Sequence, residues 1–144
     1  MYSYKGFDFP RDLSLLCSVF FLLIYYSLLL KLLPLERILN TDIPNRPAPD
    51  SKAGLSGSNK LILDKIYRAS NFFLQHVWHT RRPCLKRALV LRRWCLAREM
   101  ECGIVIGVNK SRDTLKSHAW LEIDAVPFRE APGIINTYTP IIGD

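Results

Sequence analysis

An apolar run near the N-terminus constrains the fold of this chain more than any other feature. From Leu13 to Leu33 the sequence is almost entirely apolar, interrupted only by three serines and Lys31. A helix of this length can cross a bilayer, and a helix that is apolar on nearly every side must leave water somewhere. Its flanks do not fit a cleavable signal peptide, because Arg11 and Asp12 cancel and no small-residue cleavage site follows. Taken alone, the run favours a membrane span over a helix packed inside the protein.

The remaining sequence predicts helices first and strands afterwards. Residues 1–11 look irregular, and residues 40–58 are rich in Pro, Gly, Ser, Asp and Asn, which is typical of an exposed linker. The pattern then predicts an amphipathic helix over 59–79 and a second helix from Pro83 to about Met100. The later elements are a strand at 104–108, a polar loop at 109–116, strands at 115–123 and 126–128, and a last strand within 134–138.

This order predicts an α+β fold, with N-terminal helices followed by a small antiparallel sheet. We divide the chain into residues 1–58, the apolar helix and linker, and residues 59–144, the core that carries the chemistry. At 144 residues, the two parts are expected to form one compact domain.

Cysteine and histidine usage indicates an intracellular protein without a metal. No pair among Cys17, Cys84, Cys95 and Cys102 has the spacing of a zinc ribbon or a CxxC redox motif, which favours the reducing cytosol. Cys17 is predicted to be a small core residue, and Cys95 and Cys102 to be buried or idle thiols. Two histidines lie three residues apart, His76 and His79, but without matching ligands they are a weak metal signal. We therefore predict no metal and no cofactor.

The chain is basic, with a formal charge of +7. A solvated helix face explains this surplus, and an acidic peptide or an anionic membrane surface could also use it. Aromatic residues do not interleave with the basic ones, so we predict no nucleic-acid binding. Much of the surplus falls in one region, at Arg81, Arg82, Lys86, Arg87, Arg92, Arg93 and Arg98.

A cysteine and a histidine stand in two settings that suggest acyl-transfer chemistry. Cys84 follows Pro83 at the start of a predicted helix, where the helix dipole favours the thiolate. His118 lies on a predicted strand, together with Trp120 and Glu122 on one face. An imidazole in that place can pair with the thiolate and later protonate a leaving group. The pair predicts a nucleophilic cysteine, most simply that of a peptidase.

The same order of elements is that of the papain-like and transglutaminase-like fold, and the motifs make the resemblance more specific. The chain resembles the transglutaminase-like B proteins of lasso peptide biosynthesis, which carry a Cys-Leu-x-Arg helix, a glycine, a strand ending in Ile-Gly-Val, and His-Ala-Trp-Val-Glu. Upstream, these proteins carry a Leu-Pro-hydrophobic-x-Arg element. The matching positions here are Leu33–Arg37, Cys84–Arg87, Gly103, Ile106–Val108 and His118–Glu122.

The resemblance implies a function and partners. These proteins cut the leader from a precursor peptide, beside a leader-recognition protein and an ATP-dependent cyclase. This chain lacks room for a fused recognition domain, so it resembles the peptidase-only form and implies a separate recognition partner. In the family the apolar segment belongs to the globular protein. The resemblance therefore shifts our prediction from a membrane span to a packed helix in a cytoplasmic protein, with membrane-surface association as an alternative.

The site residues follow from the resemblance. Cys84 would be the nucleophile, His118 its base, and the N–H of Cys84 an oxyanion donor. Glu130 stands where the family has an aspartate that orients the imidazole. If the turn held only Asp124 and Ala125, Glu130 would point away from His118, whereas an odd loop or a bulge would bring it to the same face.

Several alternatives stay open at this point. Asp124 and Glu122 are alternative carboxylates for the histidine. Arg87 would support the thiolate, contact an acidic leader or serve in packing, and Trp120 would wall the pocket or lie in the core. A non-catalytic, membrane-associated interaction protein and acyl transfer to an amine are the competing functions.

Overall fold

The computed structural model describes residues 3–4, 7–8, 12–41, 55–78, 80, 82–111 and 114–143. A short N-terminal hairpin is followed by four helices and then by a four-stranded antiparallel sheet, which confirms the predicted α+β class. The sheet has the strand order β5-β4-β3-β6. The elements are β1 (Ser3–Tyr4), β2 (Phe7–Asp8), α1 (Leu13–Leu32), α2 (Leu35–Thr41), α3 (Gly57–His76), α4 (Pro83–Leu96), β3 (Cys102–Ser111), β4 (Thr114–Ile123), β5 (Val126–Pro127), α5 (Pro132–Ile135) and β6 (Thr139–Gly143).

Helix α1 packs with one face and leaves the other exposed. Val19, Leu23 and Tyr26 are buried against α3 and α4. The opposite face is a stripe at helical spacing formed by Cys17, Phe21, Tyr25, Leu28 and Leu32, all of them exposed. Among the described residues, α1 is the one helix long and apolar enough to cross a membrane, although core helices and signal sequences meet the same criteria. The packed-helix prediction is therefore met on one face only.

Polar and aromatic contacts fasten the helices to one another. The carboxylate of Asp12, just before α1, accepts hydrogen bonds from Lys65 Nζ on α3 at 2.8 and 2.9 Å. Near the middle of α1, Phe20 stacks on Trp78 and meets Phe73 edge-on. These contacts set α1 and α3 side by side, and α4 packs against both helices on one side and against β3 and β4 on the other.

The central hairpin is longer than the sequence indicated. Strands β3 and β4 pair continuously from Cys102 opposite Ile123 to Ser111 opposite Thr114. The prediction of a polar loop over 109–116 was wrong at 109–111 and 114–116, because these residues, all polar except Leu115, pair across the two strands. Alternation of polar and apolar residues indicates a strand only where one face of the sheet is buried. At the end of this hairpin β4 begins with four exposed residues, so the alternation is lost.

Three further expectations need correction. The predicted last strand within 134–138 is instead the short helix α5 and a turn, because Pro132 begins a helical turn, and the strand β6 starts only at Thr139. The irregular N-terminus contains the β1–β2 hairpin. Cys17 lies on the exposed stripe of α1 and not in the core. Most of the predicted linker, residues 42–54, lies outside the described residues.

Candidate active site

Cys84 lies in the first turn of α4, directly after Pro83. Proline is favoured at this position because it has no N–H to leave unpaired and its fixed φ suits a helix. Helix geometry leaves the first N–H groups of α4 without intrahelical partners, and the dipole adds a partial positive charge there. The half-buried thiol of Cys84 therefore sits where a negative charge is stabilised.

His118 lies on β4 and faces the start of α4. It pairs with Gly107 across the β3–β4 ladder. The imidazole is flanked by two rings, Trp120 at 5.9 Å and Tyr138 at 5.6 Å between centroids. A Cβ added at Gly107 would lie 2.8 Å from Tyr138 Cβ and 3.0 Å from a ring carbon of Trp120. Gly107 is thus the position that lets both aromatic residues close around the histidine.

Glu130 reaches His118 through a break in the strand. Asp124 and Ala125 form a two-residue turn with positive φ at both, so Ile123 pairs with Val126. The ladder continues to the Phe128 N–H, which donates to Leu121 O at 2.8 Å. Arg129 then adopts a left-handed φ of 57° and turns the chain. The loop between β4 and β5 thus holds only two residues, and the change of chain direction at Arg129 brings Glu130 to the face of His118. Glu130 Oε2 lies 3.1 Å from His118 Nε2.

The Glu130–His118 contact is close but not linear. Both side chains are largely buried, at 10% and 19% exposure. Nε2 nonetheless lacks a well-aligned hydrogen bond among the described residues, so its N–H points off the direct line to the carboxylate. Because Nε2 faces Glu130, Nδ1 is the ring nitrogen left for the Cys84 thiol.

The surroundings favour a thiolate paired with an imidazolium. Burial opposes ionisation of Cys84, but hydrogen bonds from His118 and the backbone N–H groups of Ala119 and Leu85, with the charge of His118, outweigh it and lower the thiol pKa. The hydrogen bond with Cys84, followed by the 3.1 Å approach of the Glu130 carboxylate, raises the pKa of His118 to about 9 despite burial. An ion pair of this kind is the reactive form of a cysteine nucleophile.

Arg87 lies one turn after Cys84 and contacts the carboxylate oxygen of Glu130 that does not face His118. Its Nη2 is 3.6 Å from Glu130 Oε1, and its Nη1 donates a 2.7 Å hydrogen bond to Asn71 Oδ1 on α3. The guanidinium also lies over the ring of Tyr67, 4.5 Å from the centroid. These contacts match the packing role expected for Arg87, between α4 and α3. Support of the thiolate and contact with an acidic leader stay predictions.

The other sequence candidates lie elsewhere. Asp124 is exposed in the β4–β5 turn, six residues along the chain from His118. Glu122 accepts a 3.0 Å hydrogen bond from Trp120 Nε1. Trp120 is buried and its ring lies beside the imidazole. It is therefore a core residue, and its role as a pocket wall stays a prediction.

The remaining thiols and histidines stand apart from this cluster. Cys95 is buried, and the hydrogen bond it shares with Cys102 raises its pKa. His76 contacts Phe72 O at 3.0 Å, and His79 lies outside the described residues. Within the described ranges, no three Cys, His, Asp or Glu side chains are grouped so as to hold a metal ion.

Sequence reasoning missed the contribution of α3 and of the C-terminal segment. Asp64, Tyr67 and Asn71 lie on one face of α3, and their spacing of three and four residues was the available signal. Nothing in the sequence linked that face to Glu130, since the contact depends on how α3 packs. Tyr138 was expected in a strand and instead follows α5 beside the histidine.

Comparison with known proteins agrees with this architecture. A family model described as the transglutaminase-like superfamily matches residues 24–143, which include α3, α4 and the whole sheet. Neither the curated proteins nor the solved structures gave a match.

Proposed function

Because the chain belongs to the transglutaminase-like superfamily, which includes cysteine peptidases and acyltransferases, we propose that it is a cysteine peptidase that removes the leader from a lasso-type ribosomal precursor peptide. The observation that carries the proposal is the convergence of Cys84 at a helix start, His118 on β4 and Glu130 beside the imidazole. The lasso assignment itself is supported by the motif resemblance at Cys84–Arg87 and His118–Glu122.

The proposed mechanism uses the thiolate–imidazolium pair. Cys84 Sγ attacks the carbonyl carbon at the leader–core junction, and the N–H groups at the start of α4 face the developing oxyanion. The imidazolium of His118 gives its proton to the leaving amine, which releases the core and leaves a leader thioester. His118 then takes a proton from water, and the resulting hydroxide displaces Cys84 and frees the leader.

The proposed setting is the cytoplasm, with a precursor peptide as substrate. A separate leader-recognition protein would bring the precursor to Cys84, and a lasso cyclase would close the released core. Amine transfer remains the second candidate, because a thioester can pass its acyl group to an amine as readily as to water. No particular residue favours it.

The test is processing of the precursor by the purified chain together with its recognition partner, followed by intact-mass spectrometry. Wild type should yield leader and core whose masses sum to precursor plus one water. Cys84→Ala and His118→Ala should abolish cleavage, while Cys17→Ala, the loss of an exposed thiol on α1, should leave it unchanged. Circular dichroism serves as the folding control.

Two outcomes would contradict the peptidase assignment. One is wild-type cleavage by a folded Cys84→Ala variant. The other is a leader that carries an added amine, such as glycine methyl ester, in preference to water, because this would show that the chain transfers acyl groups. Iodoacetamide adds an independent check, since it should alkylate Cys84 faster than Cys17 near neutral pH.

A further inference from the structure

We infer that Arg87, anchored by Asn71, is a positioning residue that holds Glu130 against His118. The catalytic significance of this contact rests on the proposed function, whereas the experiment that tests the contact does not require it. Sequence alone left open whether a glutamate, longer than the family's aspartate, could orient the imidazole. In the structure the Glu130 carboxylate contacts both His118 and Arg87, so a second side chain restrains it.

The geometry divides the carboxylate between two neighbours. Oε2 lies 3.1 Å from His118 Nε2, and Oε1 lies 3.6 Å from Arg87 Nη2. A glutamate has one more rotatable bond than an aspartate, so its carboxylate can swing more widely. A cation on the far oxygen restricts that swing and leaves the near oxygen facing the ring.

Arg87 is itself held on two sides. Its other terminal nitrogen donates a 2.7 Å hydrogen bond to Asn71, and its guanidinium plane lies over Tyr67. The planar fork of an arginine can make both polar contacts at once, which a lysine ammonium cannot do in the same geometry. With Arg87 at 15% exposure and Glu130 at 10%, water screens the contact little.

The chain offers a matched control in Arg129. This arginine also lies over Tyr67, 4.9 Å from the ring centroid, and it too contacts a residue of α3, Asp64, at 3.2 Å. It is next to Glu130 in sequence, yet its guanidinium contacts residues of α3. Glutamine, like arginine, is unbranched at Cβ and meets the same steric penalty in the left-handed backbone conformation, so Arg129→Gln leaves the turn that places Glu130 as it is. The substitution removes a comparable charge and the same kind of stacking without removing the bridge.

The direction in which the pKa of His118 changes when Arg87 is removed distinguishes two roles for Arg87, positioning of Glu130 and a direct charge effect on the imidazole. If Arg87 acted only as a nearby positive charge, its removal would relieve repulsion of the imidazolium and raise the pKa of His118. If Arg87 holds Glu130 in place, its removal lets the carboxylate leave and lowers that pKa from about 9 toward its ordinary value. The two explanations predict opposite directions.

The experiment is an NMR titration of the histidine ring protons in the full chain, which has three histidines to resolve. The His118 signal is assigned by its loss in His118→Gln. In Arg87→Gln the midpoint should fall by about one pH unit, and iodoacetamide alkylation of Cys84 at pH 7 should slow by at most about tenfold. Arg129→Gln should change alkylation less than about twofold. Neither readout requires a substrate, so failure of the lasso peptidase assignment would leave this test intact.

An unchanged or raised His118 midpoint in Arg87→Gln would overturn the inference, as would an equal effect of Arg129→Gln. Arg87→Lys keeps the charge and should behave like Arg87→Gln, so full retention of the midpoint by lysine would show that the fork is not needed. Should Arg87→Gln fail to fold, Asn71→Ala tests the same bridge from its other end and should shift the midpoint in the same direction.

Discussion

Replacing Glu130 by glutamine tests the third member of the proposed triad. The substitution keeps the shape of the side chain and removes its charge 3.1 Å from His118 Nε2. The rise of the His118 pKa from 6.5 to about 9 corresponds to roughly 3 kcal/mol in favour of the imidazolium. Cys84 is the larger cause of that rise and Glu130 the next, so we assign Glu130 less than half of it, on the order of 1 kcal/mol.

Losing the free energy that Glu130 contributes to the imidazolium should slow the step in which His118 protonates the leaving amine by about tenfold. Glutamine also presents an N–H₂ as readily as an oxygen to the ring, which disturbs the orientation of the imidazole and adds a further loss of about tenfold. We therefore expect turnover of the precursor to fall on the order of a hundredfold, measured by single-turnover cleavage with mass detection.

The matched control is Asp124→Asn in the exposed β4–β5 turn. Asparagine tolerates the positive φ of this position as well as aspartate does, so folding should not change. We expect near wild-type turnover. A silent Glu130→Gln together with an inactive Asp124→Asn would show that the wrong carboxylate has been assigned to the histidine.

Three further predictions concern the titration of His118, the close packing at Gly107 and the packing of α1. The raised pKa of His118 contributes stability that is complete below 6.5 and is lost as pH rises through about 9, whereas the lowered pKa of the Cys84 thiol contributes stability that grows as pH rises toward 9.0. The melting temperature should therefore change little over that range, while cleavage should fall as pH rises through about 9 because the imidazolium that protonates the leaving amine is lost. Gly107→Ala should lower cleavage at least about tenfold and destabilise the fold by about 1 to 3 kcal/mol in urea unfolding, since the new methyl meets two aromatic residues, and wild-type behaviour would contradict this. On α1, Leu23→Ala should destabilise by about 2 to 5 kcal/mol and the exposed Phe21→Ala by less than about 0.5, and equal effects would refute the packing of this helix against α3 and α4.

The two candidate site residues with strong local signals, Cys84 and His118, were predicted from the sequence, and the structure brings their side chains into contact. Pro83 marks the start of α4 and so explains the setting of Cys84, and alternation along β4 indicates which face His118 shares with Trp120. Both signals depend on neighbours in the sequence. The prediction of helices before an antiparallel sheet rests on the same kind of local pattern and is confirmed.

What depends on tertiary packing could not be predicted. The side on which Glu130 lies is decided by the left-handed conformation of Arg129, for which an arginine gives no sequence signal. The bridge to Asn71 depends on the approach of α3. Cys17 was misplaced because a helix that is apolar on all sides has no periodicity to distinguish its buried face from its exposed one.

The two faces of α1 have a practical consequence for handling the protein. The exposed stripe from Cys17 to Leu32 extends over about 22 Å at 1.5 Å per residue, and Phe21 and Leu32 are 67% and 77% exposed. Removing the helix to improve solubility would also expose the surfaces of α3 and α4 that pack against it. Polar substitutions at Phe21, Leu28 and Leu32 would leave the inner face untouched. Solubility and stability can therefore be engineered independently on opposite sides of one helix.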